Sequence, residues 1–363
     1  MRYRAYEDVS KVGIRKNQTN ALIILVAKMI FNNSVLEKNK YSIEIDLLGD
    51  LQNISKQRLY NMGFEVSDKT EEDWIRLFFN VQKRLVSNKP RTILKSKEFV
   101  CPPQYGEALR EIEEKIIYGQ SLSMYMSKVI LDLEFKDLLL FDWNIHHFHL
   151  SKRKNCDGFV KRSDFELFVF FTEDIAYLIQ IYPHSKSNLY STQEMIKILH
   201  NNWPDLIATS KIQGVLSQKV TDADYGALRK AGITTFVEVG DETIYGVIGG
   251  GYATDKSSVE VTRNSDYWKQ LMSNYQKLIV SETNNIIDGI SRLLDKTANK
   301  HLHIQLIFLN DNELTFYEKT NGVCLQLYKE KAYYRLCYPK DLFFDADYYH
   351  SRVMRLANKI HTS

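Results

Sequence analysis

Three histidines fall within four residues in the stretch Trp143-Asn-Ile-His-His-Phe-His-Leu150. In an extended chain alternate side chains point to opposite faces, so Ile145, His147 and His149 share one face and His146, Phe148 and Leu150 the other. Phe148 and Leu150 mark the core side, which leaves His147 and His149 on the open side. Imidazoles titrate near neutral pH, so such a pair can give and take protons under cellular conditions. Lys152, Arg153 and Lys154 follow directly, and Lys161 and Arg162 come soon after. Cations beside a proton-transfer pair suit phosphodiester cleavage, in which negative charge builds on the phosphate oxygens. A lone strand histidine is more often just hydrogen-bonded to its neighbours; this density beside five cations raises the chemical reading to a level with that one.

A further histidine, His184, follows Pro183 at the end of the strand-like run Ile175–Tyr182, where catalytic side chains often emerge. Between the two histidine-bearing runs lies Phe165–Phe171, apolar on both faces apart from Glu166 and therefore expected to be a buried central strand. That order would bring His147, His149 and His184 to one mouth.

The sequence of helix, strand, basic connection and hairpin, ending in Ile181-Tyr-Pro-His184-Ser-Lys-Ser-Asn-Leu-Tyr190, resembles the RelE/YafQ class of small ribonuclease toxins over about residues 105–190. The resemblance implies a twisted antiparallel sheet after a helical segment. It also implies metal-free RNA cleavage by His, Lys, Arg and Tyr around the ribose 2′-OH and the scissile phosphate. Carried onto this chain, it places His147 and His149 on the histidine-bearing strand, Arg162 near the entry of the next strand and His184 at the last strand's end; from the residues themselves, His147 and His149 would act as general base and acid. Lys152, Arg153 and Lys161 would bind substrate, with Tyr190 beyond His184. Tyr190 lies further past His184 than the family pattern expects.

The same histidines permit a metal reading. His147-x-His149 would offer two nitrogens to zinc or manganese, with Asp142, Asp164 or His184 as third ligand. His146, Asn155 and His184 imitate an HNH nuclease, with the wrong spacings. His301-Leu-His303 reads as a solvent-facing strand pair. Gly249-Gly250-Gly251 lacks the remainder of a phosphate-binding loop and reads as a hairpin turn. Cys101, Cys156, Cys324 and Cys337 are too scattered for a zinc site or a disulfide framework, so reduced thiols are expected.

Placing these residues is an expected α+β fold. Hydrophobic residues make up 44% and charged residues 26% of the 363, as in ordinary globular proteins. The net charge of +3 neither demands nor excludes a nucleic-acid partner. Helices are expected over Ala21–Phe31, 50–62, Thr70–Val86 with Ser67 or Asp68 preceding it, from Tyr105 to Val129 with a break at Gly119, 192–203, 222–230, 265–279, 283–296 and 345–360. From Leu138 the pattern changes to the alternation of strands, and Ser258–Thr262 reads as another strand. Four further strands are expected between Leu302 and Tyr338. The domains follow as a mainly helical region over 1–100, a helix plus histidine-bearing antiparallel sheet over 101–205, and a C-terminal α+β region over 206–363. Neither a signal peptide nor a run long enough to span a bilayer is apparent, so a cytoplasmic protein with no membrane partner is expected.

The function expected from these readings is a metal-independent ribonuclease, toxin-like or a phage-defence effector, acting on RNA with no cofactor and subject to a protein partner or inhibitor. The rival is a non-catalytic module whose 22 Tyr, 18 Phe and basic patches recognise nucleic acid or protein. The metal-dependent, HNH-like nuclease is the third reading.

Overall fold

The structure, a computed structural model, describes residues 41–66, 73–214, 216–240, 243–309, 313–328 and 333–339. The helices expected over Ala21–Phe31 and 345–360 lie outside the described residues. The fold is α+β and divides into two units, one built on Asn61–Asp266 and the other on described residues 41–60 and 267–339. Boundaries near 100 and 205 do not coincide with this division. Described residues 41–60 belong to one unit and those from 61 to 100 to the other, and 206–266 stays with the histidine-bearing sheet.

Ser42–Ile45 (β1) and Leu47–Asn61 (α1) open the described chain. Trp74–Arg84 (α2) begins at Asp73, whose carboxylate accepts from the Arg76 amide at 3.2 Å. Its apolar face of Trp74, Ile75, Leu77, Phe78 and Val81 is buried. Thr92–Lys95 (β2) is a short strand. Gly106–Ile117 (α3) ends earlier than expected, because Gly119 takes φ +64° and 3-10 turns carry the chain onward from Ser123 to Leu131. A side chain at Gly119 would also strike the Pro90 backbone nitrogen at 2.5 Å.

Leu138–Trp143 is a helix (α4) rather than the start of a strand. Asp137 caps it, accepting from the Leu140 amide at 3.1 Å, and Asn144 closes it in the left-handed conformation. Both residues are strong cap formers, which overrides the apparent alternation. The histidine strand then runs Ile145–His149 (β3), followed by Phe165–Phe171 (β4) and Ile175–Pro183 (β5). The order in the sheet is β2-β5-β4-β3, antiparallel except for β2 beside β5. β4 is therefore interior, as its apolar sequence requires.

Both faces of this sheet are covered. Phe148, Leu150, Leu167, Val169 and Leu178 pack with Leu109, Ile112 and Ile116 of α3. Ile145, Phe168 and Ile179 pack on the opposite side with Met195, Ile196 and Leu199 of Glu194–Asn202 (α5). Burying each such side chain contributes about 1.5–3 kcal/mol. The face carrying His147 and His149 is thus a second core face, not an open one. A small sheet of Lys211–Gln213 (β6), Val237–Gly240 (β7) and Thr243–Tyr245 (β8) joins this second core through Val237 and Tyr245, together with Asp222–Lys230 (α6) through Tyr225.

Gly249–Gly251 is not a hairpin turn. The Gly249 and Gly251 amides donate to the Asp142 and Phe141 carbonyls at 2.6 and 2.8 Å, satisfying the end of α4. Val259–Ser281 (α7) then begins where a strand was expected, and Thr283–Leu294 (α8) follows. His301–Leu309 (β9), Glu313–Glu318 (β10), Val323–Tyr328 (β11) and Tyr333–Cys337 (β12) form a sheet with β1 at its edge, parallel to β9. Among the described residues no helix is long and apolar enough to cross a membrane.

Candidate functional site

β3 and β4 set His149 directly opposite Glu166, and β4 and β5 set Glu166 opposite Tyr182, with His184 one step beyond the strand end. The Asp164 carbonyl holds the His184 amide at 2.8 Å, which fixes the ring beside the sheet. The two imidazoles stack with centroids 5.6 Å apart and planes at 30°. Both address the same carboxylate oxygen: Glu166 Oε1 lies 3.0 Å from His184 Nε2 and 3.5 Å from His149 Nδ1. Neither nitrogen is aligned for a hydrogen bond to it. The other oxygen, Oε2, accepts from the Tyr190 hydroxyl at 2.8 Å.

Tyr190 reaches the cluster because Asn188 takes a left-handed conformation (φ 54°) and the 3-10 turn Leu189–Ser191 folds the chain back. Its ring meets His147 at 5.2 Å and Phe168 at 6.3 Å. The Arg229 guanidinium donates to the Tyr190 carbonyl and anchors the turn from behind. Arg229 is itself held by Asp142, which accepts from Nη2 at 2.8 Å and Nε at 3.1 Å, and from the Tyr225 hydroxyl at 3.0 Å. Burial pushes the Asp142 carboxyl up, against the opposing pull of Arg229. Asp142 is thereby committed to structure and is not a third ligand for the histidines.

Burial dominates the electrostatics. Glu166 is 1% and His149 3% exposed. Desolvation holds the His149 imidazole down to about 4; the Glu166 charge opposes the shift, and His184, His147 and Arg162 add to it. The Tyr190 phenol is pushed up by burial and by the Glu166 carboxylate. His184 is the imidazole closest to the buried carboxylate, and its side chain keeps 26% exposure.

The structure therefore joins His149, His184 and Tyr190, with His147 against Tyr190. Arg162 is exposed and near enough for its charge to act on both His149 and Tyr190. Lys152 is turned away into an ion pair with Glu107 at 2.5 Å. Arg153 and Lys161 lie on an exposed ribbon, where the Lys161 amide donates to the Arg153 carbonyl at 2.7 Å. His146 is on the opposite face, stacked near Phe148 and edge-on to Phe171. Asn155 and His146 do not join His184. His301 is exposed and bonded to Ser42, and His303 lies between Glu44 and Lys319. Glu166 was not named as a site residue by the sequence, although it is the one charged side chain in an otherwise apolar strand.

Comparison with protein-family models, with curated proteins and with solved structures gives no match to this chain.

Proposed function

We propose that this protein is a metal-independent ribonuclease whose centre is the cluster of His147, His184, Glu166 and Tyr190, with His149 as a positioning residue. The observation that carries the reading is the pair of imidazoles stacked on one buried carboxylate at the partly open end of a sheet. A carboxylate against an imidazole stabilises its protonated form and orients it for proton transfer. His149, nearly sealed and held neutral, is poorly placed to meet a substrate, so its role is to pack against and orient His184.

In the proposed reaction His147 takes the proton of a ribose 2′-OH and the 2′-oxygen attacks phosphorus. The bond from phosphorus to the 5′-oxygen breaks, and His184 gives its proton to that leaving oxygen. The products are a 2′,3′-cyclic phosphate and a 5′-hydroxyl. Arg162 faces the developing charge, and Lys161 and Arg153 track the adjoining backbone phosphates. A toxin-like or phage-defence role rests on the resemblance to the RelE/YafQ class alone.

The test is cleavage of RNA by the full chain in the presence of a chelator, alongside RNA lacking 2′-hydroxyls. His147→Ala and His184→Ala are expected to lower the rate on the order of 10²–10⁴-fold. Tyr190→Phe, which keeps the ring and loses the hydroxyl, should cost less. Full activity in both histidine variants, or no cleavage of any RNA by the unaltered protein, sinks the proposal. In the second case the exposed cations of the 152–162 ribbon favour a non-catalytic nucleic-acid binder.

A further inference from the structure

The donor atoms at the end of the histidine sheet suit more than proton transfer. His149 Nδ1, His184 Nε2 and a Glu166 oxygen all lie within 4.8 Å of one another. Two of the edges of that triangle are 3.0 and 3.5 Å. For ligands bonded at about 2.0–2.1 Å, the edge of a tetrahedron is roughly 3.3 Å. These two edges are close to the spacing of ligand atoms around a single small ion, and the third is no longer than 4.8 Å.

Hydrogen bonding points the same way. His149 is 3% exposed, yet its Nδ1 has no hydrogen-bond partner, and neither does His184 Nε2. Buried polar atoms are seldom left in this state. Both unpartnered atoms converge on the same carboxylate oxygen. The Tyr190 hydroxyl meanwhile holds the other oxygen, the supporting contact that orients a carboxylate ligand and leaves Oε1 for the ion. Imidazole nitrogen with one carboxylate oxygen is a donor set for zinc-type transition ions, whereas magnesium and calcium take oxygen ligands. His184, whose side chain keeps 26% exposure, is the member of the set nearest solvent.

We propose that His149 Nδ1, Glu166 Oε1 and His184 Nε2 form a binding site for one divalent transition-metal ion of the zinc class. The ion occupies the lone pair that His184 needs for proton transfer, so occupancy and acid–base chemistry at this cluster exclude one another. His147 is not a ligand, in contrast to the His-x-His pairing that its spacing suggests.

The test uses the full chain stripped by chelator and titrated with Zn²⁺ by calorimetry and with Co²⁺ by visible absorption, with Mg²⁺ as a third probe. One equivalent of Zn²⁺ and Co²⁺ is expected, with the Co²⁺ bands of a four-coordinate site and no Mg²⁺ binding. His149→Ala, Glu166→Gln and His184→Ala should each weaken Zn²⁺ binding at least about tenfold, while His147→Ala retains it. Thermal unfolding of each variant without metal shows whether it is folded, and Glu166→Gln preserves shape where the alanine changes do not. Absence of stoichiometric Zn²⁺ binding, or unchanged affinity in folded Glu166→Gln and His184→Ala, overturns the proposal. Because the readout is binding, the result stands whether or not RNA is cut.

Discussion

Replacing His146 with phenylalanine tests whether one buried imidazole sets the acid limit of the histidine-bearing unit. The ring is 8% exposed and lies between Phe148, parallel at 6.3 Å, and Phe171, edge-on at 5.4 Å. Neither ring nitrogen makes a hydrogen bond of ordinary geometry. Desolvation, reinforced by the charges of Lys83, His147 and Arg91 and only partly offset by the Arg84 main chain, lowers its pKa from the usual 6.5 to about 3. The unfolded chain therefore binds a proton below about pH 6.5 that the folded chain accepts only below about pH 3. This contribution to stability is fully present above the unfolded value and is lost progressively as pH falls toward the folded one. At about 1.4 kcal/mol per pH unit, acidification from pH 7 to 4 costs about 3 kcal/mol through this residue alone. His146→Phe removes that slope. It also removes two unpaired buried nitrogens, worth about 1–3 kcal/mol, against some cost of a larger ring. Urea unfolding of both proteins at a series of pH values measures the difference. Stability curves that run parallel between pH 7 and 4 would refute the reasoning, because they would mean that His146 takes up its proton in the folded state at an ordinary pH.

Two further changes probe the scaffold behind the site. Arg229→Leu leaves the Asp142 carboxylate, 0% exposed, without its counter-charge and should cost about 3–5 kcal/mol in chemical denaturation. Adding Asp142→Asn should recover part of that loss, and a double variant weaker than the sum of the two single changes would count against the pair as described. Gly249→Ala would set a Cβ 2.5 Å from the Leu140 carbonyl and 2.6 Å from that of Phe141, both backbone atoms that cannot swing aside. A loss of about 1–3 kcal/mol is expected from such overpacking, and a melting temperature equal to that of the unaltered protein would contradict it.

The histidine sheet was legible because its strands carry their own signals: β4 is too apolar to be anything but interior, and Thr172-Glu-Asp makes the turn to β5. Alternation correctly set His147 and His149 on one face and His146 on the other. It could not say that both faces are covered, since the cover on the His149 face comes from α5, some fifty residues later. Tyr190 looked too distant from His184 because spacing along the chain carries no trace of the left-handed Asn188 that folds it back. Glu166 was visible as a lone charge in an apolar strand, but its partners come from two other strands and a turn. Leu138–Trp143 misled because a short, largely apolar run fits helix and strand alike, and its caps at Asp137 and Asn144 decide the matter. The parallel pairing of β2 with β5 has no local signature at all.

The pairing of β1 with β9 bears on the order in which the protein can be completed during synthesis. Ser42–Ile45 finds its sheet partner in His301–Ile304, and everything from Asn61 to Asp266 belongs to the other unit. At about 5–20 residues per second, the ribosome takes on the order of ten seconds to a minute to pass from one strand to the other. Throughout that interval β1 and α1 are waiting for a sheet that does not yet exist, while every strand of the histidine-bearing unit is made before β9 emerges. The inserted unit can close first and shorten the loop that β1 and β9 must bridge, so its folding lowers the entropy cost of assembling the unit that encloses it in sequence.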